Sequence, residues 1–200
     1  MDPECFEAFQ EEEDGQYREA RATVRNALQD RQEYCVASAV WTKQFRETLQ
    51  HYPNITVEVA KATRVGECEA CRRKNHAASK IVVLEGVPYN PDDFSTAAVN
   101  ADDDDDEDSI DADASRFGKR MEIRVGPTCA ERIKIFHALQ HFQHDMHRKC
   151  LRKTKYMLQS EGLEPPEVVH ALMQNSQWCH QKFRDLEQVL EDADKYRDAK

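Results

Sequence analysis

A chain of 200 residues is long enough for one ordinary domain with its own core, and a 40% share of hydrophobic residues excludes a wholly disordered polymer. The formal charge of -10 is local: nine acidic residues fall between Asp102 and Asp113, and without them the chain stands near neutrality, at about -1. No apolar run approaches the roughly 18 residues that span a bilayer, MDPECFEAFQEEED has neither the basic nor the apolar region of a leader peptide, and an odd count of seven cysteines points to thiols or metal ligands rather than a disulfide framework.

In chain order, residues 1–15 are acidic and read as a frayed N-terminus. From about Gln16, the residues Tyr17, Ala20, Val24, Ala27 and Leu28 recur at three- and four-residue spacings, which predicts an amphipathic helix. Residues 35–52 carry Val36, Ala39, Val40, Phe45 and Leu49, with Trp41 among them. They read as a bent continuation or a second helix, stopped by Pro53 and Asn54. The period then shortens. Ile55, Val57 and Val59 alternate with Thr56, Glu58 and Ala60, the pattern of a half-buried strand. KIVVLE at 80–85 is a second strand, ended by the turn GVPYNPDD. Residues 92–116 form an acidic insertion too poor in apolar residues to fold. Residues 119–125 resume the alternation through Met121, Ile123 and Val125 as a third strand.

A long helix is predicted over 129–160, with Thr128 as its cap, Glu131 at capping-box spacing and an apolar stripe through Phe136, Leu139, Phe142, Met146, Cys150 and Met157. Gly162 ends it. Pro165 and Pro166 open one last helix, with Val169, Leu172, Met173, Cys179, Phe183, Leu186 and Leu190 on its inner face. The expected fold class is α+β: a small three-stranded antiparallel sheet with a zinc knuckle, bracketed by long α-helices. Residues 16–162 form a single domain interrupted by the acidic insertion, and the helix over 163–200 packs on it. The long helices could pair within the chain or, as a coiled coil, between chains.

CEACRRKNH, residues 68–76, carries the chemistry. Cys68 and Cys71 have the spacing that turns two thiolates toward one ion. Redox pairs share this spacing but place it at the start of a helix after a strand. Here a basic run and a new strand follow, so the hairpin context favours metal over a redox pair or free thiols. Structural zinc takes four ligands. Cys129, which follows a strand at a helix start, is the third candidate, against the alternative of a small buried hydrophobe. His76 is the fourth. His137 or His141 are alternatives that would need the long helix to begin later, because eight residues of helix separate Cys129 from His137 by ~12 Å.

His137, His141 and His144, with His147 beside them, form a row that reads as a polar packing face rather than a second metal site. Arg148, Lys149, Arg152, Lys153 and Lys155 make a basic helix end, and Arg72, Arg73 and Lys74 add charge at the knuckle. The sequence holds no P-loop, GxGxxG, HExxH or GxSxG. The zinc deaminase pattern fails as well, because His51 is followed by Tyr52 and Pro53. Glu69 between the two cysteines could be imagined as a general base, but it reads as a solvent-facing knuckle residue.

Together these segments resemble the family of domain of unknown function 4211. VASAVWTKQFRETL is similar to the family's first helical stretch, CEACRRKNHAAS to its CxxC segment, GVPYNP to its turn and VGPTCAERIKIFHALQHF to its Cys…His…His helix. The resemblance covers about residues 34–160. It implies interest in Cys68, Cys71, His76, Cys129, His137 and His141, a nuclear and chromatin-associated setting, and no catalytic activity.

The expected function is a non-catalytic nuclear, chromatin-associated protein-interaction module stabilised by structural Zn2+, with basic chromatin proteins such as histone tails as partners. The alternative is a nucleic-acid-binding module that uses the basic helix end and is modulated by the acidic loop. An uncharacterised zinc enzyme and a cytoplasmic location are further alternatives. Neither a membrane nor a small-molecule substrate is expected.

Overall fold

The computed structural model describes residues 3–60, 66–73, 77–96 and 120–197, with backbone alone for 3–14. The expected insertion at 92–116 therefore lies outside the described residues from 97 onward.

The first helix, α1, runs from Pro3 to Arg31. It starts thirteen residues before the predicted Gln16 and absorbs the stretch expected to fray. The reason is visible in the sequence: Pro3 occupies the first helical position, where its missing N–H costs nothing, and strong helix formers follow. A π-helical turn, Gln32–Val36, continues it, closed by the Ala37 amide on the Gln32 carbonyl at 2.7 Å. The wider turn puts Gln32, Cys35 and Val36 into the core. A break at 37–42 buries Trp41, whose ring meets Phe45 and Phe136 edge-on at 5.3 and 5.5 Å. Helix α2, Lys43–His51, begins where the Thr42 side chain accepts from the Phe45 amide.

Strands β1 (Asn54–Val59), β2 (Lys80–Glu85) and β3 (Met121–Val125) form an antiparallel sheet in that order. In register, Val57 faces Val82 and Val82 faces Ile123, while Ile55 faces Leu84. These cross-strand neighbours share the face that joins the core. Val59 departs from the predicted alternation: it pairs with Lys80 at the sheet's end and is exposed. Gly86, at φ 105°, turns the chain out of β2.

Helix α3, Pro127–Glu161, packs Ile133, Phe136 and Leu139 into the core. Its cap is Gly126 rather than Thr128, because Pro127 already sits at the first helical position. Gly162, left-handed at φ 65°, ends it as predicted. The expected single last helix is two, α4 (Pro165–Gln174) and α5 (Ser176–Asp194). Asn175 breaks the run and caps α5 by accepting from the Trp178 amide at 3.0 Å. The break resets the helical phase, so the predicted inner face is wrong in part. Val169, Met173, Cys179 and Phe183 are exposed, whereas Val168, Leu186, Val189 and Leu190 pack inward. Helix α5 runs antiparallel to α3, as Lys149–Asp185 at 3.6 Å and Arg132 over the Tyr196 ring at 5.2 Å require.

Candidate metal centre

The CxxC segment folds against the edge of β3. The Glu69 amide donates to the Arg124 carbonyl at 2.9 Å, and the Glu69 carboxylate accepts from the Arg124 amide. Glu69 is exposed, as expected of a solvent-facing knuckle residue, and its carboxylate is also tied to the strand. Across the hairpin, Glu67 pairs with Ala77, and the Ala78 amide donates to the Gly66 carbonyl at 3.0 Å. The turn closes when the Arg72 amide reaches the Cys68 carbonyl at 2.7 Å, with Arg72 in the left-handed region at φ 53°.

This turn brings Cys68 and Cys71 to Cys129 in the first turn of α3. The three sulfurs all lie within 4.8 Å of one another. Tetrahedral zinc with bonds of about 2.3 Å holds its sulfurs about 3.8 Å apart, so closing on an ion needs movements of no more than about an ångström. Cys68 is fully buried, while Cys71 and Cys129 are half-buried. The Gly126 amide donates to Cys68 Sγ at 3.3 Å. N–H donors aimed at sulfur favour its thiolate form, the form a metal requires.

The electrostatics are those of a site that could take a cation. Burial pushes hardest on Cys68, toward the neutral thiol. The Gly126, Cys71 and Ala70 amides and the Cys71 thiol outweigh it and hold Cys68 below its ordinary value. Cys129 is pushed up to about 12, first by burial and then by the neighbouring Cys68 and Cys71. Its place near a helix N-terminus would lower it, but burial and the two crowding thiols win. Three sulfurs this close disfavour joint ionisation, and a bound divalent ion would invert that balance.

Among the described residues, no histidine joins the three cysteines. His76 and Lys74 lie outside the described residues, although Ala77, the next residue, is paired with Glu67 beside Cys68. His137 and His141, the alternative ligands, are committed elsewhere. His137 Nε2 is 2.8 Å from the Tyr52 carbonyl and His141 Nε2 is 3.1 Å from the Leu49 carbonyl. Helix α3 starts at Pro127, not later, so the axial separation keeps both histidines away from the Cys129 sulfur. They instead satisfy two carbonyls at the C-terminal end of α2, which a helix leaves without partners. The histidine row is therefore a packing face, as expected, and it packs on the end of α2 and on Tyr89. Tyr89 was not predicted as a packing partner, and its position in the turn GVPYNP gave no hint of it.

The two basic groups stay apart. Arg72 and Arg73 are exposed at the knuckle, beside the start of α3. Arg148, Lys149, Arg152, Lys153 and Lys155 lie about twenty residues further along that helix, or roughly 30 Å. Lys149 pairs with Asp185, and Lys153 sits over the Tyr156 ring at 5.1 Å.

The family model described as Domain of unknown function (DUF4211) matches residues 1–94. The match thus starts earlier than the resembling segments and includes Cys68, Cys71 and His76 but not Cys129, His137 or His141. An uncharacterized protein of Schizosaccharomyces pombe is 23% identical over 140 residues, 70% of this chain and 20% of that protein. The chain thus aligns with about a fifth of that relative's length. No solved structure matches.

Proposed function

We propose that this chain, which carries the domain of unknown function DUF4211 over residues 1–94, is a non-catalytic interaction module fastened by structural zinc. The observation that carries this reading is the meeting of Cys68 and Cys71 with Cys129, from two elements about sixty residues apart. His76 is the fourth ligand, completing a Cys3His set typical of structural sites. Zinc there clamps the hairpin to the start of α3 and supplies on the order of 10 kcal/mol to folding. A site with four protein ligands leaves no position for a reacting water, which supports the non-catalytic reading over a zinc enzyme.

The module works in the nucleus in a chromatin-associated role, a setting that follows from the family resemblance. Its partners are basic chromatin proteins, drawn to the nine carboxylates between Asp102 and Asp113. Fluorescence anisotropy with labelled histone-tail peptides and with duplex DNA tests this. The reading requires peptide binding that weakens with salt and is lost when 102–113 is replaced by Gly and Ser. DNA binding alone overturns it.

A second reading, nucleic-acid binding, is supported by the exposed Arg148, Arg152 and Lys155 on one end of α3. Phosphate contacts there would give a steep salt dependence that fades when these side chains are neutralised.

A further inference from the structure

Helix α1, the loop after β2 and the middle of α3 enclose a cavity of about 410 Å³ that none of the described cysteines line. That is the size of a small-molecule pocket. On its floor, the buried Gln32 commits both hydrogens of Nε2, to the Phe136 carbonyl at 3.2 Å and to Gln140 Oε1 at 2.9 Å. Gln32 Oε1 and the Gln140 amide nitrogen remain, an acceptor and a donor on neighbouring side chains. Their complement is a planar edge that carries an adjacent donor and acceptor, as nucleobases do.

One wall is aromatic. Tyr89 lies flat on His144, with centroids 3.9 Å apart and planes 6° apart. His144 is buried, and its Nδ1 has no hydrogen-bond partner. Phe94 extends the wall. At the rim, Arg25 is 3.4 Å from the Asp92 carboxylate, while Arg21, one helical turn away and outside the lining, lies 5.2 Å over the Phe94 ring and donates to the Asp92 carbonyl at 2.6 Å. Guanidinium groups suit phosphate. The Glu33 carboxylate on the same rim suits a sugar hydroxyl or exocyclic amine. A peptide amide would satisfy the glutamines but leave the aromatic wall and Arg25 unused.

We propose that this cavity binds a single unpaired nucleotide, the base edge on Gln32 and Gln140 and the phosphate toward Arg25 at the rim. The occupant is either a free nucleotide or one unpaired residue of a single strand. The site depends neither on the identity of the metal nor on the protein partner.

The test is equilibrium dialysis of the full, metal-loaded chain against AMP, GMP, CMP and UMP up to about 10 mM. At least one binds, and Gln140→Met weakens it by about tenfold, the effect of a lost hydrogen bond. Arg25→Met weakens it as well, while Lys43→Met on α2 leaves it unchanged. A short single-stranded oligonucleotide then separates the sources. Competition with the monophosphate assigns a strand, and no competition assigns a free nucleotide. The proposal is overturned if no monophosphate binds. It is also overturned if binding is indifferent to both cavity variants while their unfolding midpoints match wild type.

Discussion

The Tyr89 hydroxyl lies 2.8 Å from His141 Nδ1, and this contact fixes the state of the imidazole. The Leu49 carbonyl beside Nε2 can only accept, so Nε2 carries the hydrogen. Nδ1 is then the acceptor, and Tyr89 donates to it. Burial, with the charge of Asp145 behind it, pushes the Tyr89 phenol up to about 12, so it keeps the proton it donates. Tyr89→Phe removes the donor and leaves Nδ1 buried without one. A loss of about 1–3 kcal/mol is expected by urea unfolding at pH 7.5; an unchanged midpoint would show that the contact does not form.

Stability must fall with acid. Burial, slightly offset by the Tyr52 carbonyl, lowers His137 from 6.5 to about 4. Burial, then His137 beside it, lowers His141 to about 3. Burial, then Arg148 and the neighbouring histidines, lowers His144 to about 4. In each case the unfolded chain binds the proton first. Stability is therefore complete above pH 6.5 and is lost as pH falls toward 4. Each histidine contributes a slope of about 1.4 kcal/mol per pH unit inside that window. His137→Gln keeps a donor for Tyr52 and removes one titrating group. Urea midpoints at pH 7, 6 and 5 should fall less steeply in this variant; parallel curves would contradict the assignment.

Gly86 has a shape that only glycine satisfies. At φ 105° an added Cβ would sit 2.8 Å from both Pro53 Cγ and Asn54 Nδ2. Gly86→Ala adds left-handed strain to that overlap and should cost about 1–3 kcal/mol by thermal or urea unfolding. Gly162→Ala meets no atoms within 4 Å and, for all its φ of 65°, should cost less. Equal losses would mean that the turn relaxes around the new methyl group.

The sheet and long helix were legible because their signals are local. KIVVLE coincides with β2, and the stripe through Phe136 and Leu139 lies on the buried face of α3. The third cysteine was legible for the same reason: Cys129 stands where a strand hands over to a helix. What sequence patterns missed depends on a single residue or on contacts across the chain. Asn175 caps instead of continuing, and that shifted the faces of α4 and α5. Tyr89 and Gln32 owe their roles to partners 52 and 104 residues away, which periodicity does not register. The same holds for the histidines: their spacing put them on one face, but only the approach of α2 shows what that face meets.

The central claim is that Cys68, Cys71 and Cys129 hold a structural metal. Native mass spectrometry of protein purified without chelator, beside Cys68→Ser and Cys129→Ser variants, tests it most directly. One zinc per wild-type chain is expected, lost in both variants together with a cooperative urea transition. Metal-free wild type that unfolds at the same midpoint as the two variants would contradict it and leave the three thiols as ordinary packing.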